Sequence, residues 1–171
     1  MAPLGYVITD AQGAGDRLLA DVGATLTAEG WLLAGVVQVN TERAGITHCD
    51  MDLQVLGRDD VVRISQALGA AASGCRLDPD GLETAVGLVE STLTPLPRLL
   101  ILNKFGNAEI EGRGFRALIG TALGQGVPVL LGVKRANLPG FGDFAGGLAT
   151  RLPADPGAVL DWCHAQAAAP I

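Results

Sequence analysis

The sequence predicts an α/β fold: a mostly parallel sheet flanked by helices, with an antiparallel excursion at one edge. Three observations carry this. Short apolar runs alternate with helically spaced segments from residue 4 to residue 133, the pattern of successive strand–helix–strand units. The runs Leu99-Leu100-Ile101-Leu102 and Val129-Leu130-Leu131 are apolar without a break, as suits parallel strands covered on both faces. Between residues 49 and 64 polar and apolar residues alternate on either side of Gly57-Arg58-Asp59, which suits an antiparallel pair joined by a turn.

Each element follows in order. Residues 4–9 read as a short buried strand that runs into a glycine turn at 10–15. Leu18, Leu19, Val22 and Leu26 recur at helical spacing across 17–29, and Gly30 stops that helix. A second strand is expected over about 32–39, then a polar turn over 41–45. The alternating segments 49–56 and 61–64 form the edge excursion, and the small residues of 69–74 read as a loop. Asp78-Pro79 caps a helix reaching about residue 93, with proline where its missing N–H costs least. Residues 97–102 lead into a buried strand, 103–114 into a polar loop, and the next helix reaches Leu123. Residues 127–133 read as the last strand, followed by helices near 141–148 and 156–167. No linker or repeat divides the chain, so one domain is expected over residues 1–171.

Composition narrows the function classes. At 49% apolar and 18% charged residues the chain favours collapse over disorder. Twelve basic against 18 acidic residues give a net charge of −6, which argues against a nucleic-acid partner needing a basic footprint. Two Trp, one Tyr and four Phe are too few for a base-stacking platform. Mean hydropathy is +0.35, yet no apolar run approaches the roughly 20 residues that span a bilayer. Residues 1–5 carry no basic region, so no signal peptide is expected, and three irregularly spaced cysteines fit reduced thiols. The expectation is an acidic cytoplasmic protein without a membrane span.

The turn Gln12-Gly13-Ala14-Gly15-Asp16-Arg17 is the first candidate site. A strand, a glycine turn and a helix gather free backbone N–H groups and a helix dipole at one point, which suits an anion. The dinucleotide fingerprint fits Gly13 and Gly15 but meets Leu18 in place of its third glycine. The phosphate-loop pattern ends on Gly15 but has Asp10 at its first glycine, Asp16 at its lysine and Arg17 at its Ser/Thr. Three readings stay open: a strand-to-helix turn that uses glycine for packing, a retained oxyanion or nucleotide-phosphate site, or a working P-loop that hydrolyses.

The second candidate is the segment 103–116, which leaves the carboxyl end of a buried strand, where open α/β sheets bind ligands. It concentrates Lys104, Glu109, Glu111, Arg113 and Arg116, and Lys104 is one of two lysines in the chain. A phosphate-loop enzyme would carry a strand-end aspartate for Mg²⁺; here that place is Asn103. The bland alternative is a solvated loop whose acids favour a helix N-terminus.

Asn103-Lys104-Phe105-Gly106, Glu109, Glu111-Gly112 and Gly114, followed by Val127-Pro128-Val129-Leu130, resemble a bacterial family of small proteins of unknown function. Cys49-Asp50-Met51, Ile64-Ser65-Gln66 and Gly74-Cys75-Arg76-Leu77-Asp78 echo the same pattern, so the resemblance covers most of the chain. Members are often labelled as associated with molybdate or other ABC transport, which implies a link to metal-oxyanion handling and a transporter-associated partner. More distantly the layout is similar to small P-loop nucleoside triphosphatases, whose Asp-Glu-Ile-Gly motif would fall on Asn103-Lys104-Phe105-Gly106. Both acidic positions and the P-loop lysine are absent, so this resemblance implies a P-loop-NTPase-like fold more than an ATPase.

Cys49 and Cys75 lack the paired spacing of zinc ligands. They read as small packing residues, with a soft metal site, or a thiol lining an oxyanion pocket beside Gln66 and Arg76, as alternatives. Cys163 and His164 read as packing and surface residues of the final helix. The candidate binding set is Gln12, Gly13, Ala14, Gly15, Asp16, Arg17, Gln66, Arg76, Asn103, Lys104, Glu109 and Arg113. The leading expectation is a small anionic ligand, molybdate or a nucleotide, bound without hydrolysis, in a chain free to form homo-oligomers. Two alternatives stand beside it: a divergent nucleoside triphosphatase using Glu109 or Glu111, and a fold retained for partner interaction.

Overall fold

A computed structural model describes residues 2–10, 13–42, 49–66 and 76–168. Its strands are β1 (Leu4–Ile8), β2 (Leu33–Glu42), β3 (Cys49–Val55), β4 (Val61–Arg63), β5 (Ser65–Gln66), β6 (Arg76–Leu77), β7 (Leu99–Leu102), β8 (Val129–Val133) and β9 (Ala149–Arg151). Its α-helices are α1 (Ala14–Ala28), α2 (Pro79–Ser91), α3 (Asn107–Ile110), α4 (Arg116–Gly124), α5 (Leu138–Ala145) and α6 (Pro156–Ala168).

Seven strands form one sheet in the order β4-β3-β2-β7-β8-β1-β9. The ladders β2–β7, β7–β8, β8–β1 and β1–β9 are parallel, while β3 runs antiparallel to both β2 and β4. This is the expected mostly parallel sheet with an antiparallel edge. Every residue of β7 and β8 is buried, because helices cover both faces. Leu18, Leu19, Val22 and Leu26 of α1 pack with Val159 and Cys163 of α6 on one face. Leu82, Ala85 and Val89 of α2, Ile119 of α4 and Phe141 of α5 belong to the core of the other. Asp78 caps α2 as expected, its carboxylate accepting from the Asp80 N–H at 3.1 Å.

Several boundaries depart from the sequence reading for identifiable reasons. Thr41 and Glu42, expected in a turn, belong to β2, because β3 pairs with it from Val36↔Val55 out to Glu42↔Cys49; residues 43–45 of the expected turn lie outside the described residues. The segment 103–114 contains the helical turn α3 rather than loop alone. Strand β8 is not the last, since β9 adds a parallel edge to β1; three residues with one partner are too short to show a period. Helix α5 starts and ends earlier than expected, stopped by Gly146 in the left-handed region at φ 59°. The small ladder β5–β6 was likewise too short to see. The loop expected at 69–74 lies outside the described residues.

Candidate functional site

Because β1, β7 and β8 are parallel and contiguous, the segments leaving their carboxyl ends emerge along one edge. The turn after β1 and the segment after β7 therefore meet there, as the expected topology requires. At the end of β1, Thr9 N–H donates to the Val133 carbonyl at 3.0 Å. Asp10 then accepts from the Arg135 N–H at 3.0 Å and pairs with the Arg135 guanidinium, tying this turn to the one after β8. Helix α1 begins at Gly13, whose φ of 74° is a conformation that glycine adopts without cost, and no side chain among the described residues caps it. Gly15 has a packing reason of its own: a Cβ there would overlap the Thr9 side chain. The uncapped first turn leaves backbone N–H groups and the positive end of the helix dipole at the edge.

Asp16 does not fold back as a cap. Its carboxylate lies near Asn103, the residue directly after β7, whose amide favours its charged form. Asn103 is only 7% exposed and donates Nδ2 to Gln38 Oε1 at 2.9 Å. One amide thus ties the end of β7 to β2. Burial raises the Asp16 pKa above the ordinary carboxylate range, against the pull of Asn103, Lys104 and Lys134. Lys104 and Lys134, the two lysines of the chain, follow the ends of neighbouring strands β7 and β8. Burial of part of the Lys104 side chain lowers its pKa, and the positive charge of Lys134 lowers it further, while Glu109 and Asp16 oppose. Both lysines line one cavity.

The segment after β7 is folded rather than solvated. Phe105 is buried and packs edge-to-face on Phe141 at 5.2 Å and stacks on Phe144 at 5.1 Å. Glu109, 4% exposed, spends one carboxylate oxygen on the Gly106 N–H at 2.8 Å and the other on the Phe115 N–H at 3.0 Å. Burial still raises its pKa, the two backbone bonds opposing. Arg116 donates to the Glu109 and Ile110 carbonyls at 3.2 Å each. Glu109 is thus a brace of the loop.

Beside these groups lies a cavity of about 290 Å³. Met51, Leu53, Ile64, Leu82 and Phe115 form an apolar wall. Gln38, Asn103, Lys104, Glu109 and Lys134 supply its polar rim.

The structure brings together Asp16, Asn103, Lys104 and Glu109 from the expected set. Gly13, Ala14, Gly15 and Arg17 form the adjoining helix start without lining the cavity. Arg113 and Glu111 lie on the outer surface, paired with each other. Gln66 and Arg76 face each other in the β5–β6 ladder, and Cys49 opens β3; their side chains are not among those described. Gln12 and Cys75 lie outside the described residues. No group of three His, Cys, Asp or Glu able to hold a metal occurs among the described residues. Sequence reading missed Lys134 and Gln38. Lys134 follows a buried strand as Lys104 nearly does, and Gln38 is a lone polar residue in the apolar run 33–39, so both left a signal.

A family model described as "Protein of unknown function (DUF2478)" matches residues 4–162. Molybdenum import ATP-binding protein ModC 2 of Bradyrhizobium diazoefficiens is 32% identical over 151 residues, which cover 86% of this chain but 16% of that protein. The chain therefore spans about a sixth of that relative's length. The crystal structure of THEP1 from the hyperthermophile Aquifex aeolicus superposes with a TM-score of 0.59 at 14% identity, covering 94% of this chain and 95% of that one. That match shows the fold, which is the expected P-loop-NTPase-like α/β arrangement.

Proposed function

The chain belongs to the DUF2478 family of unknown function, and we propose that it binds a phosphate-bearing or metal-oxyanion ligand at the carboxyl edge of its sheet without hydrolysing it. The observation that carries this reading is that Lys104 and Lys134 line one cavity at the edge where α1 starts. Two like charges on one cavity wall oppose each other, and an anion bound between them offsets that repulsion. Helix N–H groups add donors already aimed at the same edge. In a chain of net charge −6, such a concentration of positive groups is a local exception.

Hydrolysis lacks its groups. Asp16 stands where a P-loop lysine would neutralise transferring phosphoryl charge, Arg17 where a hydroxyl would hold Mg²⁺, and Asn103 where a carboxylate would. Glu109 cannot substitute as a water-positioning base while both its oxygens are held by backbone N–H groups. The similarity to a molybdenum import ATP-binding protein makes molybdate a ligand to test and a transporter component a partner to test. In this reading the protein works in the cytoplasm; no helix among the described residues is long and apolar enough to cross a membrane. The experiment is a calorimetric panel of molybdate, inorganic phosphate, ADP and GDP, run beside a phosphate-release assay with MgATP and MgGTP. Binding of at least one anion without Mg²⁺-dependent release is expected. Turnover above about 1 s⁻¹ that EDTA abolishes, or silence across the whole binding panel, overturns the proposal.

A further inference from the structure

We infer that the ligand of this edge is an organic anion whose heteroaromatic ring, bearing an N–H donor, enters the cavity beside the two lysines. The inference rests on the anion-binding reading above and adds the chemistry of the ligand's other end. A bare inorganic oxyanion needs only charge and donors, and has no use for an apolar wall. Here Lys104 and Lys134 border the same cavity as Met51, Leu53, Ile64 and Leu82. Its volume of about 290 Å³ far exceeds one tetrahedral ion and approaches the small end of organic ligand sites. Apolar lining with a few convergent polar groups is the usual composition of such sites.

Asn103 sharpens the class. Its Nδ2 donates to Gln38 Oε1 at 2.9 Å. Its Oδ1 accepts nothing among the described residues, although the side chain is buried at the cavity wall. A buried acceptor left unmade is costly, and a ring N–H or amino group satisfies it. Anion at the lysines, ring against the apolar wall and donor to Asn103 describe one small molecule of nucleotide-like chemistry.

The test compares inorganic phosphate, phenyl phosphate and 4-aminophenyl phosphate by calorimetry on the full chain. Phenyl phosphate is expected to bind at least tenfold tighter than inorganic phosphate, and the amino compound tighter again. Met51→Trp, which fills the cavity from a half-buried position, is expected to erase the ring's advantage while leaving inorganic phosphate affinity in place. Leu77→Asp, at an exposed position on the cavity wall, is expected to weaken ring binding without touching the core. Equal affinity for inorganic and phenyl phosphate overturns the inference and leaves the anion-binding reading standing. A ring advantage that survives both variants also overturns it. An amino compound no tighter than phenyl phosphate removes the role of Asn103, and no binding of any probe removes both readings.

Discussion

Replacing Glu109 by alanine removes the acceptor that two buried backbone donors share. The Gly106 N–H at 2.8 Å and the Phe115 N–H at 3.0 Å would both lose their partner in a site where the side chain is 4% exposed. Each buried orphan costs about 1–3 kcal/mol, and part of the sum returns because the costly buried carboxylate is also gone. A net loss of about 2–4 kcal/mol is expected, a large share of the 5–15 kcal/mol typical of a domain. With a urea m-value of about 2 kcal/mol/M, the midpoint falls by about 1–2 M. Fluorescence of Trp31 and Trp162, both on the opposite face with α1 and α6, reports the global transition. Glu109→Gln keeps one acceptor and should lose about half as much. The pH dependence has a definite sign. Burial holds the folded pKa of Glu109 above the ordinary 4.5, so its contribution is fully present below the unfolded value and is lost as pH rises through the folded one. The advantage of wild type over Glu109→Gln should therefore be largest near the acidic end and shrink on going to neutral pH. An alanine variant within about 0.5 kcal/mol of wild type, the range of ordinary surface changes, would refute the brace.

Asp16→Asn keeps the shape of the side chain but removes a negative charge near Lys104, so anion affinity measured by calorimetry should rise several-fold; unchanged affinity would place Asp16 away from the ligand. Gly15→Ala forces a methyl group into Thr9 and should destabilise the fold by about 1–3 kcal/mol in the same urea assay. Cys163 is buried, with its thiol pushed up to about 12, so peptide mapping after iodoacetamide treatment of native protein at pH 8 should find it unmodified, as reactivity follows the thiolate.

The parallel core was legible because β7 and β8 are buried on both faces, and an all-apolar run such as Leu99-Leu100-Ile101-Leu102 has few other uses. Asp78-Pro79 announced α2 through local chemistry alone. What escaped depends on distant partners. The extension of β2 past residue 39 exists because β3 lies beside it, and β9 exists because β1 offers an edge. At the site, Asn103 and Lys104 could be found from their place after a strand, but the brace made by Glu109 could not. An acid three residues after Gly106 looks like any charged loop residue until Phe115 folds back to share it. The cavity was equally invisible, since its wall draws Met51 and Leu53 from β3, Leu82 from α2 and Phe115 from the start of α4.

Titration of wild type and of the double variant Lys104→Ala/Lys134→Ala with ADP, at matched ionic strength, tests the central claim most directly. Both lysines are exposed, so the fold should survive their loss, with an unchanged urea midpoint as the control. Each charge-assisted contact is worth about 1.5–3 kcal/mol, which predicts binding by wild type and an affinity at least a hundredfold lower in the double variant. Equal affinities in the two proteins, or no binding to wild type, would contradict it.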